Sequence, residues 1–181
     1  MGSWLRVFAV SALVFLSGCV SRISQNQLQL ADAVSYQLQG VPSDWQARSM
    51  TQLLTLTRGD ETNSLLTQLE IADGELRLVA LTPEGMSLFS LVYLRTGEIQ
   101  VEKYLPLGEL YPEYVIADLQ LSLWPIELVN QGLKGATLLA VATGRELKQG
   151  DTKLVTLSQT DKVTTLINHV RDYSIIIQTI E

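Results

Sequence analysis

The sequence is poor in the side chains on which most catalytic and metal-binding sites depend. Its 181 residues include one cysteine and one histidine, and charged residues make up 18% of the chain, against roughly 25% in typical globular proteins. One cysteine excludes an intramolecular disulfide, so packing alone must stabilise the fold. The net charge of −6 disfavours nucleic acid and anionic lipid surfaces as broad electrostatic partners.

The one cysteine ends an apolar segment at the start of the chain. Arg6 precedes an apolar run over Val7–Phe15, and Leu16–Cys19 fits a bacterial lipobox. Lipobox processing would attach a diacylglyceryl group to Cys19, cleave before it and acylate the new amino terminus, for example with palmitate. Two or more acyl chains give stable anchoring, since each buried methylene contributes about 0.8 kcal/mol. The alternative is an ordinary secretory signal whose cleavage site contains a cysteine.

These features predict three parts of the chain: a lipoprotein signal peptide over 1–18, a lipidated tether over 19–44 and a single domain over 45–181. The tether is polar, with one short helical stretch around Gln27–Tyr36. Val20 follows the cysteine where an aspartate would signal retention in the inner membrane. We therefore expect a lipid-anchored protein on the periplasmic face of the outer membrane, with the membrane as its partner through the acyl chains.

Most of the predicted domain alternates between apolar and polar residues, which is typical of half-buried strands. Asp73-Gly74, Thr82–Gly85 and Thr96-Gly97 are turn signals between alternating segments. The strands predicted before the centre of the chain are Met50–Thr57, Leu65–Ile71, Glu75–Thr82, Met86–Arg95 and Ile99–Tyr104, and those after it are Leu138–Ala142, Lys153–Gln159, Val163–Val170 and Tyr173–Ile180.

The centre of the chain changes to helical spacing. Pro112 suits the first turn of a helix whose apolar residues recur at Val115, Ile116, Leu119 and Leu123. A second short helix begins after Pro125 and ends near two glycines. The order of strands, helices and strands predicts an α+β fold that is mainly β.

An amphipathic helix must bury its apolar stripe, so we expect a curved antiparallel sheet of seven to ten strands, or half-open barrel, with the helices as a lid on its inner face. The space beneath the lid is either an apolar ligand cavity or a closed core. The aromatic residues Tyr104, Tyr111, Tyr114 and Trp124 fit the core or the rim of such a cavity. The candidate lining residues are Leu54, Leu69, Leu78, Phe89, Leu91, Tyr93, Leu119, Leu123 and Trp124.

No pattern in the sequence predicts catalysis, a cofactor or a metal site. His169 has no nucleophile and orienting partner at recognisable spacing, and no serine stands in a Gly-x-Ser-x-Gly elbow. Glu70, Asp73 and Glu75 cluster at a predicted hairpin without a histidine or cysteine, which indicates a solvated acidic turn. We expect a protein that is not an enzyme.

Several motifs resemble an uncharacterised family of outer-membrane lipoproteins from Gram-negative bacteria. They are Leu81–Gly85, Leu88–Leu91, Val101–Lys103, Ala117–Pro125 and the terminal segment Tyr173–Glu181. That family is similar in layout to the LolA and LolB lipoprotein carriers, whose half-open sheet and helical lid enclose acyl chains. Its members are often encoded with enzymes that make aryl polyene lipids. The resemblance implies transport or placement of a lipid or lipoprotein at the outer membrane.

LolB also presents an exposed apolar residue on a protruding loop that hands over cargo. The candidates for such a loop here are Leu105–Gly108 and Leu138-Leu139. The first functional hypothesis is a carrier that binds a lipid, acyl or polyene chain in an apolar cavity. The alternative is a structural lipoprotein that docks an envelope protein through the strand over Met86–Arg95 or a sheet edge.

Overall fold

Antiparallel strands and two helices make up most of the structure, a computed structural model that describes residues 21–23, 27–105 and 111–180, with only the backbone for 21–23. The helices are α1 (Pro112–Leu123) and α2 (Ile126–Gly132). The strands are β1 (Ser21–Ile23), β2 (Gln27–Ala31), β3 (Val34–Gln37), β4 (Arg48–Arg58), β5 (Glu61–Ala72), β6 (Glu75–Leu81), β7 (Ser87–Tyr93), β8 (Ile99–Lys103), β9 (Leu133–Lys134), β10 (Thr137–Val141), β11 (Gly144–Gln149), β12 (Thr152–Gln159), β13 (Val163–Asn168) and β14 (Tyr173–Thr179).

The main sheet has eleven described strands in the order β1-β8-β7-β6-β5-β4-β14-β13-β12-β11-β10. Its two ends do not pair, so the sheet is open. Neighbouring strands lie about 4.8 Å apart, which would place β7 and β13 about 24 Å apart in a flat sheet. Phe89 of β7 and Leu166 of β13 nevertheless line one small cavity, so the sheet must curve around it. The mainly β, α+β fold is confirmed at this level.

The nine strands predicted for the main sheet are two short of the eleven described, because β1, in the predicted tether, and β11 were not recognised. The sequence signal for β11 is weak. Its sequence, from Gly144 to Gln149, mixes charges with a single leucine and gives little alternation. Leu147 is nevertheless fully buried, and Glu146 on the other face pairs with Lys148 and Lys153. Ion pairing within β11 and with β12 therefore replaces the apolar pattern that would have indicated a strand.

The short helix predicted around 27–36 is wrong. Residues 27–37 form the β2–β3 hairpin, with Asp32 and Ala33 in the turn, and β9 adds a third strand. Leucines at 28 and 30 and Val34 and Tyr36 point alternately into the core, while glutamines and Ser35 face outwards. Period-two burial outweighs the polar composition of this segment, so the part of the predicted tether beyond residue 26 packs against the domain.

The two central helices are confirmed. Pro112 lies in the first turn of α1, where its missing N–H needs no partner, and Glu113 complements the positive end of the helix dipole. The helix ends at Trp124, whose backbone N–H donates to the carbonyl of Gln120 at 3.0 Å. Pro125 then separates α1 from α2. No helix among the described residues has the length and apolar character needed to span a bilayer.

One face of α1, the back face formed by Ile116, Gln120 and Trp124, is fully buried. The side-chain carbonyl of Gln120 accepts from the Tyr36 hydroxyl at 2.6 Å and the Gln39 N–H at 2.9 Å, and its amide donates to the Gln39 carbonyl at 2.6 Å. The Trp124 indole N–H donates to the Gly40 carbonyl at 2.8 Å. The segment after β3 thus fixes the position of the helix.

The carboxyl end of α1 is held separately by the sheet. The Arg145 guanidinium on β11 donates to the carbonyls of Leu121 at 3.0 Å and Trp124 at 2.6 Å, two groups that no longer have a helical partner. Burial lowers the pKa of Arg145, yet a guanidinium stays charged at neutral pH. A cation at the negative end of the helix dipole is favourable.

Replacing Gln120 with leucine tests the back-face contacts. The Tyr36 hydroxyl and the Gln39 backbone would lose their buried partner, and an unsatisfied buried polar group costs about 1–3 kcal/mol. We expect the free energy of unfolding, from urea denaturation, to fall by roughly 3 kcal/mol. Gln131→Leu on the exposed side of α2 is the control and should change it by less than about 0.5 kcal/mol. Equal effects of the two substitutions would contradict this account.

Candidate functional site

An apolar cavity of about 160 Å³ lies between α1 and the concave face of the main sheet. Val115, Asp118, Leu119 and Ser122 recur at the spacing of one helix face and form the front stripe of α1, which covers the cavity. The opposite wall comes from six adjacent strands. Their lining residues are Gln52, Leu54, Leu56, Leu65, Thr67, Leu78, Phe89, Leu166, Ile175 and Ile177.

Strand register explains why these side chains meet. Leu54 pairs with Ile177 and Leu56 with Ile175 across β4 and β14, and alternate residues of a strand point to the same face. On the other side of β4, Leu54 pairs with Leu65 of β5. The period-two pattern of each strand therefore assembles one continuous hydrocarbon wall.

The predicted lining residues divide between the cavity and the closed core. Leu54, Leu78, Phe89 and Leu119 line the cavity. Leu69, Leu91, Tyr93 and Trp124 are at most 2% exposed and lie in the core cluster, while Leu123 is half-buried against it. An open apolar space and a closed core therefore lie on opposite sides of α1, because its back face packs tightly and its front stripe does not.

The aromatic residues also divide. Trp124 is a core residue whose ring meets Trp45 edge-on at 4.9 Å between centroids. Tyr104 is exposed and lies within hydrogen-bond distance of Ser90, away from the cavity. Tyr111 and Tyr114 lie at the amino end of α1 and border the adjoining open side of the cavity. Their rings meet edge to face, with 6.2 Å between the ring centroids. Of the four aromatic residues predicted for the core or the rim, these two lie at the rim.

The polar residues considered from the sequence do not line this cavity. His169 is exposed and within hydrogen-bond distance of Thr156, at 2.9 Å. Glu75 forms an ion pair with Arg77 beside the acidic hairpin. Within the described ranges, no three His, Cys, Asp or Glu side chains cluster as metal ligands would.

Among the described side chains that line the apolar cavity, Asp118 is the only ionisable one. Its carboxylate accepts a hydrogen bond from the Tyr173 hydroxyl at 2.5 Å. Burial raises the pKa of Asp118 to about 7, although the Tyr173 hydrogen bond and the charge of Arg171 favour the ionised form. Burial, with the neighbouring carboxylate, also raises the pKa of Tyr173. This carboxyl group can therefore gain or lose a proton near neutral pH.

A second space of about 140 Å³, here called the mouth, adjoins the cavity at Asp118. It shares Leu56, Val115, Asp118 and Ile175 with the cavity, and its remaining lining residues are Arg58, Tyr111, Tyr114, Arg171 and Tyr173. One end of the hydrocarbon-lined space therefore carries two guanidinium groups, a carboxyl group and phenol hydroxyls.

Sequence reasoning missed Asp118, Arg58 and Arg171. The sequence does carry a signal for Asp118. It lies on the same helix stripe as Val115 and Leu119, so it is a charged residue on an otherwise apolar face. Arg58 continues the inward alternation of β4, but the glycine and aspartate that follow it in the sequence indicate a turn. Arg171 follows β13 in a loop, and only the tertiary fold brings it to the ring of Tyr114.

Replacing Asp118 with asparagine tests its protonation in the folded chain. The pKa of an aspartate in an unfolded chain is about 3.9, so the folded state holds this proton more tightly and loses stability as the pH rises from about 4 to 7. We expect Asp118→Asn to gain stability relative to the wild type over that interval, by at most about 4 kcal/mol. Urea denaturation at several pH values measures the difference.

Asp161→Asn, at an exposed position in the β12–β13 turn, is the matched control. Its free energy of unfolding relative to the wild type should not change with pH as that of Asp118→Asn does. A constant difference in the free energy of unfolding between Asp118→Asn and the wild type from pH 4 to 8 would show that folding does not raise the pKa of Asp118.

Some sequence predictions fall outside the described residues. These include the signal peptide, Cys19 and most of the Leu105–Gly108 loop, of which only Leu105 is described, as half-exposed. At the other loop candidate, Leu138 is fully buried and Leu139 is 43% exposed. The edge strand β10 thus presents one of its two leucines to solvent.

Comparison with curated proteins finds no match for this chain. A family model described as a protein of unknown function, DUF3261, matches residues 49–181. The match begins in β4 and covers the main sheet from there, both helices and all the side chains that line the cavity and the mouth. The resemblance to an uncharacterised family is confirmed to this extent, and the chain belongs to the DUF3261 family.

Proposed function

We propose that the protein is a non-enzymatic, membrane-anchored lipoprotein that binds a lipid, acyl or polyene chain in the cavity beneath α1. It would act in the transport or placement of a lipid or lipoprotein at the periplasmic face of the outer membrane. The observation that carries the proposal is the unfilled, hydrocarbon-lined space between the front stripe of α1 and the curved sheet.

The size of the cavity supports an apolar ligand. An engineered cavity of about 150 Å³ lined by similar side chains stays dry and binds benzene. A void costs about 24 cal/mol per Å³, so about 160 Å³ corresponds to on the order of 4 kcal/mol that a bound hydrocarbon can recover. A ligand also gains roughly 25 cal/mol for each Å² of apolar surface removed from water.

The cavity admits a short hydrocarbon segment as it stands, and a longer chain has a continuous route into the mouth. Leu56, Val115 and Ile175 line both spaces, so a tail can pass from one to the other along apolar side chains. The polar groups at the mouth then face whatever part of the ligand leaves the hydrocarbon wall. This arrangement suits an amphiphile better than a wholly apolar molecule.

The lipobox supports the anchored part of the proposal. Leu16–Cys19 follows an apolar run and precedes a polar segment, which suits acylation of Cys19. An anchored domain would stay within reach of a membrane that contains its ligand. The proposed similarity in layout to LolA and LolB supports the cavity part of the proposal, since those carriers also place a helical lid over an acyl-binding sheet.

Filling the cavity tests ligand binding. Leu119→Trp on the front stripe should occupy the void, whereas Leu123→Trp, one turn later on the same helix, should leave it open. With the full-length chain in nanodiscs of zwitterionic lipid, octanol at about 100 times its Kd should raise the Tm of the wild type by about 5–10 °C. We expect Leu119→Trp to abolish most of that shift and Leu123→Trp to keep it, as followed by scanning calorimetry.

An absent shift in the wild type would remove the carrier proposal and favour the docking alternative. Equal loss of the shift in both variants would place the ligand somewhere other than the cavity.

Replacing Cys19 with serine tests the anchor. Serine cannot form the thioether, and cleavage at a lipobox follows that step, so we expect the variant to lose labelling by radioactive palmitate, to keep its signal peptide and not to sediment with the outer membranes of a Gram-negative host. The wild type should be labelled and sediment with outer membranes. Unlabelled wild-type protein released into the periplasm would show an ordinary secretory signal instead.

A further inference from the structure

The mouth concentrates positive charge at one end of a space that is otherwise hydrocarbon. Arg58 continues the inward series of Leu54 and Leu56 on β4 and lies across from Tyr173 on β14, with its guanidinium 5.7 Å from that ring. The side chain is exposed, so it can meet a ligand that enters from solvent without displacing core residues.

Arg171 is held in a fixed orientation on the other side of the mouth. Its guanidinium stacks on the ring of Tyr114, 3.1 Å from the centroid, and donates to the Gln29 carbonyl at 3.3 Å. The Tyr114 hydroxyl donates to the same carbonyl at 3.0 Å. A stacked guanidinium loses less conformational freedom on binding an oxyanion than a free one does.

Neither guanidinium has a carboxylate partner within 4 Å among the described side chains, in contrast to Arg77, Lys148 and Lys153. Among the described residues, the charged and titratable groups that line the mouth are Arg58, Arg171, Asp118, Tyr111, Tyr114 and Tyr173. The amino end of α1 lies at the same place, and its dipole adds to the positive potential.

We propose that the mouth binds the anionic oxyacid headgroup of an amphiphile, with Arg58 and Arg171 on the headgroup and the tail in the cavity under α1. The inference rests on the proposed function and adds the ligand class: a tail joined to a phosphate, sulfonate or carboxylate group. Guanidinium groups suit such oxygens because they donate two parallel hydrogen bonds. The net charge of the whole chain is −6, but this does not prevent the contact, because the positive charge of the two arginines is concentrated at the mouth.

Asp118 makes this recognition sensitive to pH. Its carboxyl group lies between the headgroup and the tail, and an ionised carboxylate repels an incoming anion while a protonated one can donate a hydrogen bond to it. Burial raises the pKa of this group to about 7. Affinity for an anionic amphiphile therefore falls as the pH rises from 6 to 8, and Asp118→Asn removes most of that fall.

The test compares ligands that differ only at one end. We choose octyl sulfonate, whose charge does not change between pH 6 and 8, with octanol and octyltrimethylammonium as the neutral and cationic counterparts and inorganic sulfate as the headgroup alone. Each is titrated against the full-length chain in zwitterionic nanodiscs, and Kd is obtained from the shift in Tm. At pH 6 we expect octyl sulfonate to bind about tenfold more tightly than octanol.

Substitutions at the mouth then locate the headgroup. Arg58→Gln and Arg171→Gln should each reduce the preference for octyl sulfonate to about threefold or less and leave the Kd of octanol unchanged. Arg48→Gln is the matched control, because Arg48 lies on the same strand, stacked on Trp45 at 3.7 Å and remote from the mouth. Arg58→Lys should restore part of the preference.

Four results would overturn the inference. Equal affinity for octyl sulfonate and octanol would leave the carrier proposal standing and remove the headgroup site. Stabilisation by inorganic sulfate equal to that by octyl sulfonate would indicate a simple anion site without a tail. Tighter binding of octyltrimethylammonium would reverse the assigned charge. If neither octanol nor octyl sulfonate shifts the Tm, the proposed function fails and the headgroup inference fails with it.

Discussion

The buried hydrogen bonds on the back face of α1 set the distance between this helix and the sheet. Gln120 bonds to Tyr36 and Gln39, and the Trp124 indole bonds to the Gly40 carbonyl. A helix free to move would press its front stripe onto the leucines of β4 and β5, because closing an apolar void is favourable. The helix instead keeps polar contacts that would be lost if it shifted, and the space beneath it persists.

The persistence of that space has an energetic meaning. A domain of this size is stable by about 5–15 kcal/mol, and the void accounts for on the order of 4 kcal/mol of lost packing. Asp118 adds a second cost, since a carboxyl group in the wall of a hydrocarbon cavity is ionised only at the expense of solvation. Void and carboxyl group adjoin each other, and the two arginines of the mouth lie next to them. Binding sites typically combine poor packing with poorly solvated polar groups, and the void and the buried carboxyl group are such a combination.

Much of the fold could be predicted from alternation and helical spacing, and the exceptions have physical causes. The strand over Met50–Thr57 and the helix after Pro112 follow simple periods, because apolar residues recur along the side of each that lines the cavity. The β2–β3 hairpin was missed because glutamines between its buried leucines made the segment look like a tether, and β11 was missed because ion pairs take the place of its apolar residues. From the sequence, the cavity could be placed beneath the helices, but its lining residues could not be predicted. No local pattern shows that Leu119 faces a void while Trp124, five residues later, fills the core.

Xenon binding in crystals of the protein is the most direct measurement of whether the space under α1 is open to an apolar guest. Xenon atoms occupy preformed dry cavities and have no polar contacts that would draw them elsewhere. The account predicts xenon density between Leu54, Phe89 and Leu119, and its absence in crystals of Leu119→Trp. Side chains that close the space and leave no xenon site beneath α1 would contradict it.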